Sequence, residues 1–438
     1  MLVKLRILAA HLLILGAVAG MGAAASLAFA RVPVSWKLPR FPPLAARPGE
    51  GRVNPIVLAL AGLPADADSA AMAHPTPRIR AITVSPGVIT LRAGGRVVRT
   101  IAIARRALNL SQLSQVIADP SWIGQPAPGE IDLRSALIMD QGTSLTVAPP
   151  SARVLRLADL PGVLLGAHGA LLRIASATVT SARLRYNGAY RPFVLAEHRA
   201  RLLITSSRLA GLGWNWDDSY GVSWKTGATG GATASDFTGN YFGVYTGGVS
   251  GLVFTRDVIT GSYSYGFDPH SYSSRLTITD NTVTGNGRHG IILADHVTRS
   301  TVAGNTVRGN AANGIMVYQA CSGNVIEKNL VAGNRGDGIV FAEAPGNQII
   351  GNLVRGNRVG LHLSRTPQRT VELSGNVVTG NALNSQGIAS VPGNSIASDR
   401  RLGWDADWLV IIWVLGTVAV TVTLMSLTSC LLSGRRAG

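Results

Sequence analysis

Asp268 and His270 stand two residues apart in a run of short apolar strands, with Pro269 between them. Strand alternation puts both on one face, and the proline removes a ladder donor and marks irregular pairing. An imidazole titrates near neutrality, which suits it to proton removal, so His270 is the candidate base. The Asp268 carboxyl can orient that ring or hydrogen-bond a substrate. Tyr265 lies three residues before Asp268, and His289, preceded by Arg288, stands one repeat further on. One histidine alone is usually a surface residue; these groups together are a candidate site for proton transfer.

The elements that must position them form a repeat. Asn281, Asn305, Asn329, Asn352 and Asn376 are spaced 24, 24, 23 and 24 residues apart, and Asn286, Asn310, Asn334, Asn357 and Asn381 follow five residues behind. The unit reads N-x-V-x-G-N, then Gly and a short apolar strand. Periods of about 20 to 50 residues signal solenoids. The fixed leucine ladder of leucine-rich repeats is absent, and β-branched strands broken by Gly and Asn fit an all-β parallel β-helix. Its coils stack equivalent residues at about 4.8 Å, so the Asn columns are expected to be structural amide ladders. Asp257, Ser235 and Ser207 continue the first column upstream at spacings of 24, 22 and 28.

Aligned on Asn, the coils give one column of Gly266, Gly290, Gly314, Gly338 and Gly360. The next column, Phe267, Ile291, Ile315, Ile339 and Leu361, should face the core, as should Pro269, Leu293, Val317, Phe341 and Leu363. Between them, outward, come Asp268, Ile292, Met316, Val340 and His362. Tyr265 and His289 precede the Gly column and should stack on adjacent coils. Strict alternation sends Tyr265 to the opposite face from Asp268, so a bend at Gly266 is required to bring the phenol to the same groove.

The 438-residue chain has 40 Lys and Arg against 23 Asp and Glu, a net charge of +17, with 46% hydrophobic and 14% charged residues. So much apolar surface excludes disorder, and the low charge content excludes a coiled coil. Two cysteines exclude a disulfide-dense scaffold and a Cys-based zinc module. The positive balance suits a polyanionic partner, with anionic lipid and plain solubility as the bland readings. Without aromatic–basic interleaving, and in an exported chain, no nucleic-acid partner is expected.

Lys4 and Arg6, the apolar stretch Ile7–Gly20 and Ala28-Phe29-Ala30 make residues 1–30 a signal peptide, with an uncleaved anchor as the alternative. The uncharged run Trp408–Leu432, flanked by Asp405, Asp407, Arg435 and Arg436, predicts a transmembrane helix over 406–434 with a short basic cytoplasmic tail. The expected order is then a Pro/Ala-rich linker or cap over 31–77, the β-helix over 78–386 and a linker over 387–405. Such a body is extracytoplasmic and tethered to the cytoplasmic membrane.

The string Tyr265-Gly266-Phe267-Asp268-Pro269-His270 resembles the Y-G-[FI]-D-P-H-[DE] signature of mannuronan C5-epimerases, alginate-modifying enzymes built on right-handed parallel β-helices. The likeness extends over roughly residues 185 to 385, through Tyr190-Arg191-Pro192-Phe193, Tyr220-Gly221-Val222-Ser223 and His289-Gly290-Ile291-Ile292. It implies His270 as base, Tyr265 as proton donor to the opposite sugar face or the glycosidic oxygen, and association with polysaccharide synthesis or export. Two positions depart from the pattern: Ser271 replaces the closing acid, and the family's charge-neutralising Arg falls at Asp295 or His296.

Inverting C5 of a uronate removes a proton beside a carboxylate, whose charge must be neutralised by a cation or a protonated group. Arg288, Lys225 and Arg275 are the candidate cations, with His289 beside them in the substrate-binding set. Lys225 is expected in the His270 column two coils back. No metal or other cofactor is expected, because the acidic nonapeptide repeats that bind calcium are missing. A polyuronate lyase on the same scaffold and a polysaccharide-binding β-helix that has lost its chemistry are the alternatives.

Overall fold

The computed structural model describes residues 79–397, apart from 95, 105–106, 216–218 and 390–391. The expected signal peptide, the 31–77 linker and the 406–434 helix lie outside the described residues. Among the described residues no helix is long and apolar enough to cross a membrane.

The chain winds into an all-β parallel solenoid of about 11 turns. Each turn contributes one strand to each of three sheets, of 14, 11 and 13 strands. The first sheet carries Val244–Gly247, Phe267–His270, Ile291–Ala294 and Ile315–Tyr318 as neighbours, paired in register. Phe267, Ile291, Ile315, Ile339 and Leu361 are fully buried, as the column alignment requires. Burying such side chains contributes about 1.5–3 kcal/mol each, and the core they form is continuous along the solenoid.

Ladders of side-chain amides tie the turns together. The Asn281 N–H donates to Asn305 Oδ1 at 2.9 Å, its Nδ2 donates to the same oxygen at 3.0 Å, and the pattern repeats through Asn329, Asn352 and Asn376 to Asn394. Upstream the same bonds run through Asp257, Ser235 and Ser207. A second ladder runs from Asn286 to Asn381. A third, through Ser300, Asn324 and Asn347, was not read from the sequence.

Three features differ from expectation. The start of the expected 78–386 β-helix is not a parallel coil, because Arg80–Ser85, Val88–Ala93 and Arg96–Ala102 fold back as antiparallel strands at the end of the first sheet. A helix, Leu110–Ile117, covers the N-terminal end of the core with Leu110, Leu113 and Ile117, and Asn109 and Gln112 form a capping box at its start. At the other end the solenoid runs past the 386 boundary, since Asn394 takes the next rung of the ladder and Ser395–Ile396 pairs with Val377–Val378.

Candidate active site

The coil from Asp257 to His270 departs from its neighbours where the sequence does. Phe267–His270 pairs with the preceding strand at four positions but with the following one only at Phe267 and Ile291. Pro269 has no N–H to give to the next coil, and the regular ladder stops there.

Asp268 lies in the outward column yet is only 3% exposed, so neighbouring side chains cover it. Its Oδ1 is buried without a hydrogen-bond partner. Burial raises its pKa to about 8 against the lowering effect of the Arg288 guanidinium, which keeps the carboxyl protonated at neutrality. Tyr265 lies near enough for its phenol to feel the Asp268 charge. Its ring stacks on His289 at 5.4 Å with a 12° interplanar angle, and the Arg288 guanidinium lies over the ring at 5.3 Å from the centroid. Burial, then the Asp268 charge, pushes its phenol up to about 12. The bend is permitted at Gly266, where a Cβ would meet the Gly290 carbonyl oxygen, the Val283 side chain and Asn286 Nδ2.

His289 is 2% exposed, and burial followed by the nearby Arg288 charge lowers its pKa to about 3. It is a neutral ring whose Nδ1 accepts the Asn313 N–H at 3.2 Å, so Nε2 carries its proton.

His270 is supported by a chain of hydrogen bonds that alternation alone does not reveal. Its Nδ1 is 2.6 Å from Ser271 Oγ, and Ser271 Oγ donates to Asp295 Oδ2 at 3.2 Å. Ser271 has one hydroxyl proton, and it goes to the carboxylate; Nδ1 is therefore the protonated nitrogen, and the basic lone pair belongs to Nε2. Asp295 also meets His296 Nδ1 at 2.8 Å, and His296 stacks on Tyr272 at 4.7 Å. Ser271 (φ 40°) and Asp295 (φ 57°) both occupy the left-handed turn that follows the strand, which brings them to one lip on adjacent coils. A carboxylate of the next coil is thus linked to His270 through Ser271.

The candidate cations are distributed unequally. Arg288 is the one whose charge bears on Tyr265, Asp268 and His289 together. Lys225 is two coils back in the His270 column, as expected, with Nζ 5.9 Å from the Tyr245 centroid; that ring is 6.2 Å from the His270 ring. Arg275 does not join the group: it lies beyond the turn, where its guanidinium donates to Ser250 Oγ at 3.5 Å on the previous coil.

An aromatic wall was also missed. Tyr186, Tyr220, Tyr241, Phe242, Tyr245 and Tyr265 form one cluster beside the site. Tyr263 stacks on Tyr241 at 5.5 Å, and Phe242 packs on Tyr265 at 4.9 Å. Aromatics are only 6% of the chain, so their composition gave no signal; their grouping across coils of unequal length did not show in the spacing. Behind the wall, the buried Arg191 donates to the carbonyls of Leu184, Leu212, Gly213 and Gly239 and lies 5.1 Å from the Tyr186 centroid.

The comparisons with known proteins agree with this architecture. A family model described as periplasmic copper-binding protein (NosD) matches residues 214–370. No curated protein sequence matches the chain. Two mutant crystal structures of the periplasmic alginate epimerase AlgG align with TM-scores of 0.62 and 0.61, each at 24% identity over 68% of this chain and 74% of theirs. The structure of AlgG itself aligns with a TM-score of 0.55 at 21% identity, over 66% of this chain and 82% of that one. In fold, this chain is similar to the alginate epimerase AlgG.

Proposed function

We propose that the protein is an extracytoplasmic C5-epimerase of a polyuronate, converting mannuronate to guluronate within the polymer. The observation that carries the reading is the grouping of Asp268, Tyr265 and Arg288, with His270 two residues on along the same strand, in a solenoid similar in fold to AlgG. His270 Nε2 removes the C5 proton. The electron pair is delocalised into the uronate carboxylate, where the protonated Asp268 donates a hydrogen bond and Arg288 offsets the charge. Tyr265, protonated at neutrality, returns a proton to the opposite face, and no bond of the chain is broken. Neutral His289 holds the phenol in place by stacking, and the exposed Tyr263, stacked on the edge of the aromatic cluster, offers a face on which a sugar ring can lie.

The net charge of +17 favours a polyanionic substrate. The apolar run Trp408–Leu432 supports a membrane tether, with association to polysaccharide synthesis or export; the protein should stay with membranes through an alkaline wash, and release into the wash would remove the tether from the account.

The test is proton NMR of polymannuronate and other polyuronates incubated with the full-length protein. Guluronate signals without chain shortening are expected. Unsaturated chain ends would make the enzyme a lyase, and retained binding without change would make it a binding protein.

A further inference from the structure

We propose that His168, Glu197 and His198 form a binding site for one first-row divalent transition-metal ion, with Zn²⁺ as the representative, held by two imidazole nitrogens and a carboxylate oxygen. The three lie three to four coils before His270. Strands Leu164–His168 and Phe193–Glu197 pair in parallel with His168 opposite Glu197. The chain then enters the left-handed turn at His198 (φ 52°) and Arg199 (φ 64°), and this breaks strand alternation so that Glu197 and His198 meet on one side.

The two rings stack at 4.1 Å with a 29° interplanar angle. Both Nδ1 atoms face the same oxygen, Glu197 Oε1, at 3.4 Å from His168 and 3.7 Å from His198. All three donor atoms lie within 4.8 Å of one another. A tetrahedral zinc with bonds of about 2.0–2.1 Å separates its ligand atoms by about 3.3–3.4 Å, so the donor spacing suits a ligand shell once the part-exposed histidine rings turn out of their stack to aim their lone pairs at one ion.

Charge and chemistry point the same way. Glu197 is 6% exposed, and its two close partners are the His168 and His198 imidazoles. A buried carboxylate needs a counter-charge, and a dication between the rings supplies one. A set of two imidazoles and one carboxylate suits Zn²⁺, Cu²⁺ or Ni²⁺, whereas Ca²⁺ and Mg²⁺ prefer all-oxygen shells. The histidine side chains are 42% and 39% exposed, which gives an ion access from solvent and leaves room for further ligands. The competing account is an ordinary ion pair between protonated His168 and Glu197.

The test uses the full-length protein without a histidine tag, stripped by chelator and dialysed against Zn²⁺, with bound metal measured directly. Wild type should bind one equivalent more than His168→Gln/His198→Gln, and Glu197→Gln should weaken binding at least tenfold. Cu²⁺ should displace Zn²⁺, and excess Ca²⁺ should not. Equal zinc in wild type and the double variant would overturn the proposal. As a check that needs no variant, Co²⁺ bound to wild type should give the intense visible band of a four- or five-coordinate ion; only the weak octahedral spectrum would also overturn it.

Discussion

The coils from Leu276 to Gln386 and those from Tyr186 to Arg275 are built on the same three sheets, but they use their side chains differently. In the later coils Asn fills every rung of the first two ladders, and the outward column holds Ile292, Met316 and Val340. In the earlier coils the same rungs are Asp257, Ser235 and Ser207, and the outward surface carries Tyr220, Tyr245, Asp268 and His270. The uniform region holds the solenoid together, while the irregular one gives up ladder bonds for titratable and aromatic groups. Such an exchange of regularity for chemistry is what a functional site on a repeat scaffold requires.

The largest separation of the two regions should come from the groove. Asp268→Ala should lower kcat/KM on polymannuronate by about 10²–10³-fold, the loss expected when a donor to a developing charge is removed. Met316→Ala, in the same column two coils on, should leave the rate unchanged. Because Asp268 acts while protonated, activity should fall as pH rises through about 8, and Asp268→Asn, which keeps a donor, should lose less rate and lose that alkaline limb. An alkaline limb that persists in Asp268→Asn would assign it to another group.

Stability should show the opposite ranking. Asn305→Ala takes the ladder acceptor from the Asn281 backbone and side-chain N–H groups and a donor from the Ile278 carbonyl, leaving the Asn281 side chain only its bond to the Phe254 carbonyl, which should cost about 3 kcal/mol in denaturant unfolding. Ser235→Ala, on an earlier rung, should cost about 1 kcal/mol. Equal costs would mean that the ladders are not what separates the regions.

Asp257 sharpens the comparison, since it stands on an amide rung with its Oδ2 buried and unpartnered. Burial raises its pKa from 3.8 to about 7. A carboxyl raised in the folded state contributes fully when protonated in both states, and its contribution is lost as pH rises from about 4 through about 7. Asp257→Asn should therefore stabilise the protein by about 2 kcal/mol at pH 8 and little at pH 4. A gain independent of pH would contradict the protonated rung.

The smallest effect should come from the His270 support. Ser271→Ala cuts the link to Asp295 at a cost of about 1 kcal/mol, roughly fivefold in kcat, with KM little changed and the acid limb of the pH profile moved. Ser271→Asp should restore the rate by placing a carboxylate directly on Nδ1. A rate loss with an unmoved pH profile would make Ser271 merely structural.

Much of this was legible in the sequence because the later coils have nearly constant length. A 24-residue period fixes the columns, and with them the burial of Phe267 and Ile291, the stacking of Tyr265 on His289 and the placing of Lys225 behind His270. Features that depend on backbone departures from the period were not legible. Asp295 read as a lost cation until the left-handed turn brought it to Ser271. The aromatic wall draws on coils of 22 to 28 residues, where column counting slips, and the antiparallel strands and helix at the N-terminal end answer the need to close an open core rather than any periodicity.

The central claim, that this groove removes and returns the C5 proton of a polyuronate, is tested most directly by solvent deuterium uptake. Polymannuronate incubated in D₂O with the full-length protein should gain deuterium at C5 together with guluronate signals, and His270→Gln should lower both by about 10²–10⁴-fold. Uptake that is undiminished in His270→Gln, or no uptake by the wild type from any polyuronate, would contradict it.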